Sequence, residues 1–425
     1  MKTLVVWFDQ ARVGELHLDD SGRLSFGYDG AFVGNPNTLP ISISLPKQLE
    51  PFDEGACRPF FDGLLPEAKQ RSGAARALGV TEGNTFSLLD RLGGEVAGAL
   101  AFLSPGAPPK PLLPVSQSVP LGDAELGRIL EELPRRPLLA GQQGLRLSLA
   151  GAQSKLPVCL VDGQVCLPAE DQPTTHILKP SIPEFPASTE NEAFCMRLAS
   201  ELGLPVAKAE ARVLDVGGRP TTLLLVERYD RVWKDGKTFR LHQEDFCQAL
   251  GVPSIQKYQS EGGPNFKACF DLVRRVSVRP SVDLNHLLDM AIVNVLMGNA
   301  DAHGKNFSLL YAPDGIRLAP FYDLMCTAYY PALAPAFAMK IGDQSEFERM
   351  RILAWKTFAS HAGLTFPYVR KRIQELASLI PGASNRALES LANQGLDEAA
   401  LAGLASLVTR RSEQTLQRMA RTEPD

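Results

Sequence analysis

No stretch of the sequence stays apolar for the roughly 18 positions that a membrane-spanning helix requires. The opening residues, MKTLVVWFDQ, meet an acid at Asp9 before a secretory core is long enough. A cytoplasmic protein with no membrane partner is therefore expected. None of the seven cysteines, scattered from Cys57 to Cys326, forms a CxxC pair. That pattern excludes both a disulfide scaffold and a structural zinc site. Cys159 and Cys166, lying in apolar runs, read as buried free thiols. A basic surplus is also missing: the formal net charge is −4 and the pI about 6.0, whereas a protein that holds nucleic acid alone is usually basic. DNA contact is thus expected to be local or supplied by a partner. The short clusters Arg370–Lys371–Arg372 and Arg410–Arg411 read as solvated helix faces. There is no Walker A loop, no GxGxxG loop and no internal repeat.

What is present is ordinary globular material, 44% hydrophobic and 22% charged, and its 425 residues suffice for two or three cores. Short alternating runs at 4–8, 13–18 and 24–28 read as strands, with another at 41–45, a helical segment opening at Phe60 and a strand-like run at 94–103. Together they predict an α+β subdomain over residues 1–104. The stretch 104–120, SPGAPPKPLLPVSQSVP, is too rich in proline for a helix or a central strand. With a helix over 123–133 it makes a connection, 105–139. Residues 140–235 are strand-rich apart from a helix at 188–202 closed by Gly203 and Pro205. Residues 236–425 are mostly helical, with a β interruption at 307–320. Strands first, helices second and polar motifs near the junction predict a bilobal, protein-kinase-like fold.

The most informative segment is GNADAHGKNF, residues 298–307, between an amphipathic helix (284–297) and a strand (308–311). Asp301 and Asn306 have the D-x-x-x-x-N spacing of a kinase catalytic loop, in which the aspartate takes the acceptor's proton and the asparagine ligates magnesium. Taken alone, either is equally a helix cap or a turn former. His303 reads as a brace for the loop, and Lys305 as a candidate phosphate contact. A hairpin turning at Pro313–Asp314–Gly315 brings the chain to Asp323, which can complete the metal site from the far end of the returning strand.

Upstream, Lys179 ends a short β-like run, as an ATP-anchoring lysine must, although an exposed strand-end lysine is the simpler alternative. Glu190 and Glu192 begin the next helix. One of them, with Glu192 favoured, suits an ion pair with Lys179; complementing the helix dipole explains both equally. The segment SLAGAQSK (Ser148 to Lys155) has small residues that let backbone N–H groups approach an anion, and is otherwise a plain turn. The apolar run 223–226 leads into Glu227, Arg228, Tyr229 and Asp230, either a hinge for adenine or a solvated strand end.

In order and spacing these segments resemble the HipA family of toxin serine/threonine kinases. The resemblance is carried by SLAGAQSK (148–155), THILK (175–179), VERYDR (226–231), HQEDFCQ (242–248), KYQSEGGP (257–264), DAHGKNFS (301–308) and PFYD (320–323), with FFDGLLPE (60–67) and VGEL (13–16) in the first subdomain. It implies ATP and Mg2+ as cofactors, Asp301 as catalytic base, and Asn306 and Asp323 as metal ligands. Nucleotide contacts are implied for Ala150, Gly151, Ala152, Gln153, Ser154, Lys155, Lys179, Glu227, Arg228, Tyr229, His303, Gly304, Lys305, Asn306, Tyr322 and Asp323. Ser148 matches a serine that some members autophosphorylate to inactivate themselves, and reads otherwise as a strand hydroxyl. The family further implies a protein substrate that is an aminoacyl-tRNA synthetase, typically the glutamyl enzyme. It also implies a helix-turn-helix antitoxin of HipB type, with operator DNA held mainly through that antitoxin. Residues 324–343, short and rich in alanine and proline, depart from the family pattern. Two other readings stay open: a silent kinase fold that only binds a partner, and a kinase for small molecules.

Overall fold

Period-two alternation at the start of the chain builds a sheet with one wet face and one dry face. The computed structural model, which describes residues 1–216 and 219–420, orders its strands as Leu24–Tyr28, Ala11–Leu18, Lys2–Phe8 and Leu100–Leu103, all neighbours antiparallel. Leu4, Val6, Val13, Leu16 and Phe26 lie in the dry core. Helices Glu54–Asp62, Ala68–Leu78 and Thr85–Leu92 contribute to it; Asp53 caps the first through the Ala56 N–H and Asn84 the third through the Ser87 N–H. A Cβ on Gly14 would fall 2.2 Å from the Gly27 carbonyl oxygen, so only glycine permits that strand approach.

Three expectations change here. Residues 41–45 form a turn closed by a Ser42–Leu45 bridge, because the Ser42 and Ser44 hydroxyls bond to Glu244 and the Gln248 carbonyl instead of leaving a free strand edge. The helix expected to open at Phe60 opens at Glu54, and Phe60 stands near its end. Within 94–103 only Leu100–Leu103 is a strand, and Glu95 is buried.

A second, six-stranded antiparallel sheet has the order Val119–Pro120, Gln164–Leu167, Leu156–Val161, His176–Pro180, Arg219–Glu227, Ala209–Val216. Both faces are covered, which explains the unbroken apolar run at 223–226. Leu223 and Leu225 pack with Leu126, Ile129 and Leu130 of the helix Asp123–Glu132, while Leu224 and Val226 join Phe194 and Leu198 of the helix Ser188–Glu201. The proline-rich stretch is thus more than a connection. Its end supplies the edge strand, where a residue without an N–H is tolerated.

The helical half holds Phe266–Val276, Pro280–Met297, Ile352–Ala362, Phe366–Ala392 and Glu398–Ala420. Pro280–Met297 is not amphipathic throughout: every residue from Leu287 to Met297 is buried, so it runs through the core. Beside it His242–Asp245, Ser308–Ala312 and Gly315–Leu318 form a three-stranded sheet. Residues 324–343 contain a strand, Ala336–Ile341, whose Ala338 N–H donates to the Ala300 carbonyl. No helix among the described residues is long and apolar enough to cross a membrane.

Candidate active site

The buried helix Pro280–Met297 ends at Gly298, which has φ +79° and where a Cβ would meet the Ala328 Cβ at 2.8 Å. The loop beyond it is tied down at each step. Asn299 Nδ2 donates to Asn294 Oδ1, the Ala300 N–H to Thr327 Oγ1 at 2.8 Å, and the Asp301 N–H to Asn299 Oδ1 at 3.1 Å. The Asp301 carboxylate reaches solvent and accepts the Tyr258 hydroxyl at 2.8 Å. Surrounding protein pushes its pKa up against the pull of Tyr258 and Lys257, and the Asp323 charge adds to that push, so the two carboxylates share one electrostatic environment.

Asp323 arrives on the returning hairpin in the left-handed region, φ +58°, which a residue with a Cβ rarely adopts. Its Oδ2 accepts Asn306 Nδ2 at 3.0 Å and its Oδ1 accepts Lys179 Nζ at 2.7 Å. The same ammonium donates to Glu192 Oε1 at 2.6 Å. A continuous polar chain therefore runs Glu192–Lys179–Asp323–Asn306, drawn from a helix, a strand, a hairpin end and a loop. The Lys179 side chain is 8% exposed and that of Asp323 42%, so the cleft opens on the carboxylate. Burial works against the Asp323 charge, yet Lys179 and Lys155 hold its carboxyl well below the usual range. Lys179 itself is held up despite burial, by Asp323 and Glu192, while burial raises Glu192.

The 148–155 segment comes near this chain through Lys155, whose charge acts on Lys179 and Asp323. Gly151, at φ +112°, leaves room for Lys155, whose Nζ donates to the Ala150 carbonyl at 2.6 Å. Burial and the neighbouring Lys179 bring the Lys155 pKa down to about 8. Ala152 is exposed, and Gln153 and Ser154 are half-buried. The segment is docked on the first subdomain: the Gly151 carbonyl accepts the Glu67 N–H at 3.1 Å, and Gln70 Nε2 donates to Ser154 Oγ at 3.1 Å. Ser148 is fully buried, its hydroxyl donating to the Leu64 carbonyl at 2.8 Å.

At the end of the strand Arg219–Glu227, Glu227 is exposed and Tyr229 half-buried, the Tyr229 ring 5.7 Å from that of Tyr322. The Tyr322 hydroxyl donates to the Lys305 carbonyl at 2.7 Å. His303 is buried, with burial and Lys257 drawing its pKa to about 3, and its backbone N–H donates to Asn306 Oδ1 at 3.2 Å. A neutral ring in that place suits bracing rather than proton transfer. A Cβ on Gly304 would strike Pro264 Cγ at 2.7 Å, so its smallness serves packing.

Two side chains expected at the nucleotide are engaged elsewhere. The Arg228 guanidinium is buried against Glu95 Oε1 at 3.0 Å, Asp230 and Thr174, because the first subdomain presents an internal acid to it. Lys305 donates to Asp245 Oδ2 at 2.6 Å and lies 3.6 Å from Glu67, inside a buried ion cluster. Sequence reasoning gave no role to Tyr258, Lys257, Glu67 or Glu95. The family strings include Glu67, Lys257 and Tyr258 but not Glu95, and each of the four acts on a part of the chain far from it in sequence.

A strand-rich lobe and a helical lobe meeting at a lysine–glutamate pair and a loop-plus-hairpin acid pair define a two-lobed kinase. Comparison narrows the class. The family model of the HipA-like C-terminal domain matches residues 147–383, more than half of the chain, and that of the HipA N-terminal domain matches 4–103. The Sinorhizobium fredii protein Y4mE, described as a kinase, is 53% identical over 97% of this chain and 98% of its own. The serine/threonine-protein kinase toxin HipA of Shewanella oneidensis is 32% identical over 80% of this chain and 79% of its own. A solved complex of S. oneidensis HipA, HipB and operator DNA superposes with a TM-score of 0.84 at 28% identity, covering 98% of both chains. The chain belongs to the HipA family of kinases.

Proposed function

We propose that this chain is the toxin of a toxin–antitoxin pair, a kinase that moves the γ-phosphate of ATP to a serine of a translation protein, in the first instance an aminoacyl-tRNA synthetase such as the glutamyl enzyme. One observation carries the reading: the chain Glu192–Lys179–Asp323–Asn306 lines the cleft beside Asp301. The Asp323 carboxylate and the Asn306 amide oxygen are hard donors of the kind magnesium takes. The amide here turns its Nδ2 to Asp323 at 3.0 Å and its Oδ1 to the His303 backbone N–H, so Asn306 would turn its amide over to hold the ion with Asp323. Once bound, the ion offsets negative charge on the β- and γ-phosphates.

In this reading Lys179, fixed by Glu192, meets the phosphates, with Lys155 and the 150–155 backbone above them. The backbone of Glu227–Tyr229 and the ring of Tyr322 flank the base. Asp301 accepts the proton of the acceptor hydroxyl as its oxygen bonds to the γ-phosphorus and the bridge to ADP breaks. Ser148 is modified only after its loop leaves the Leu64 carbonyl. A phosphate of nearly two charges cannot return to a carbonyl oxygen, which keeps the loop out and the kinase off. A HipB-type antitoxin that also holds operator DNA fits the mildly acidic charge of this chain.

The test is transfer of labelled γ-phosphate to purified aminoacyl-tRNA synthetases by the wild type and by Asp301→Asn. Transfer by the wild type and its loss in the variant are expected. Equal transfer by both would remove Asp301 as base. Intact mass after ATP treatment should rise by one phosphate in the wild type and not in Ser148→Ala.

A further inference from the structure

A carboxylate on a short loop turns about two bonds, whereas a base must keep one oxygen on the acceptor hydroxyl. Tyr258 meets Asp301 Oδ1 at 2.8 Å, and its ring stands edge-on to that of His303 with centroids 5.3 Å apart. A phenylalanine would fill the same space; only the hydroxyl reaches the carboxylate. The turn that carries Tyr258 is tight, with the Gly263 N–H on the Tyr258 carbonyl at 2.9 Å. Its neighbour Lys257 is anchored twice: the ammonium on Glu67 Oε2 at 2.9 Å and the carbonyl on the Gly304 N–H at 3.3 Å. Glu67 comes from the first subdomain, and its own N–H holds Gly151 of the phosphate loop. The two sides of the cleft thus meet at one residue.

We propose that Tyr258 is a positioning residue for phosphoryl transfer: it holds one oxygen of Asp301 and leaves the other for the acceptor, and the Glu67–Lys257 pair fixes where Tyr258 stands. This deepens the reading of Asp301 as base and rests on it. The hydroxyl of Tyr258 donates throughout and is not consumed.

The experiment follows labelled phosphate from ATP and Mg2+ onto dephosphorylated casein and onto the chain itself. It compares the full-length wild type with Tyr258→Phe, Asp301→Asn, the double variant and Glu67→Gln, and measures ATP affinity for each as a check on the folded cleft. Tyr258→Phe is expected to lower kcat about tenfold while KM for ATP stays within roughly twofold. The double variant should be no slower than Asp301→Asn alone, since residues acting through one group are not additive. Glu67→Gln should lower kcat in the same direction; if it does not fold, Lys257→Met carries the same expectation. A Tyr258→Phe rate equal to the wild type beside a dead Asp301→Asn overturns this inference and leaves the base in place. So does an equal further loss in the Asp301→Asn background. An Asp301→Asn enzyme as fast as the wild type overturns both.

Discussion

At the scale of single residues, the cleft is a set of charges whose states depend on one another. Lys155 is the one poised to change: at about 8 its ammonium is lost as pH rises through that value. Phosphates favour the charged form, so affinity for ATP should weaken between about pH 7 and about pH 9. Lys155→Arg, charged throughout, should flatten that dependence, and titration calorimetry across the range would show a level wild-type affinity if the idea is wrong. Lys179→Met leaves the Glu192 carboxyl, 2% exposed, without its cation. A loss of about 3 kcal/mol in urea unfolding is expected, together with loss of transfer. Lys179 and Glu192 lie 13 positions apart and Asn306 and Asp323 17, so each pair was legible from strand–helix or loop–hairpin spacing. The contact of Lys179 with Asp323 spans 144 positions and was expected only from the kinase pattern as a whole. The ion pairs of Lys305 with Asp245 and Glu67, and of Arg228 with Glu95, join segments far apart in the chain that no spacing reveals; the Arg228 pair leaves the backbone contact expected of 227–229 untouched.

At the scale of elements, the strand at His176–Pro180 and the helix at Ser188–Glu201 were readable from their periodicity and terminators. The turn at 41–45 was not, since its conformation follows from bonds to Glu244 and Gln248 about two hundred positions away. Nor was the unbroken burial of 287–297, whose polar members Asp289 and Asn294 mimic a wet face; Asp289 is in fact paired with Arg372 at 2.6 Å. That helix aims the loop beyond it through Gly298. Gly298→Ala meets both a left-handed backbone and the Ala328 methyl, so a cost of about 1–2 kcal/mol is expected, with a fall in kcat from the displaced loop. Thermal melting and transfer rate check the two effects separately. An unchanged melting point would show that the helix end tolerates a methyl.

For the whole molecule, the decisive contact is the buried acid Glu95. It takes Arg228 at 3.0 Å, Arg231 at 2.7 Å and Arg240 at 2.7 Å, and joins the first subdomain to the hinge segment. Burial opposes its charge, yet the arginines hold its carboxyl well below the usual glutamate value of 4.5. A depressed acid stabilises the fold above that value and loses its contribution as pH falls below it, so the wild type should weaken progressively in acid. Glu95→Gln should cost about 3–5 kcal/mol at neutral pH and remove part of that acid sensitivity. Urea unfolding at both pH values tests this, and equal stability of the two proteins would contradict it.

The arginine clasp around Glu95 has a consequence for traffic into the cleft. Two-lobed kinases commonly admit and release nucleotide by rocking one jaw against the other. Here the pivot of such rocking is itself bolted to a third body, which also grips the catalytic side through Glu67. The small-residue segment at 150–155 is tied to that body by only a few bonds, among them the Glu67 N–H on the Gly151 carbonyl and Gln70 on Ser154. If the 150–155 segment covers ATP as proposed, nucleotide exchange would be the lifting of a hatch, and whatever held that hatch open or shut would govern the enzyme without moving either jaw.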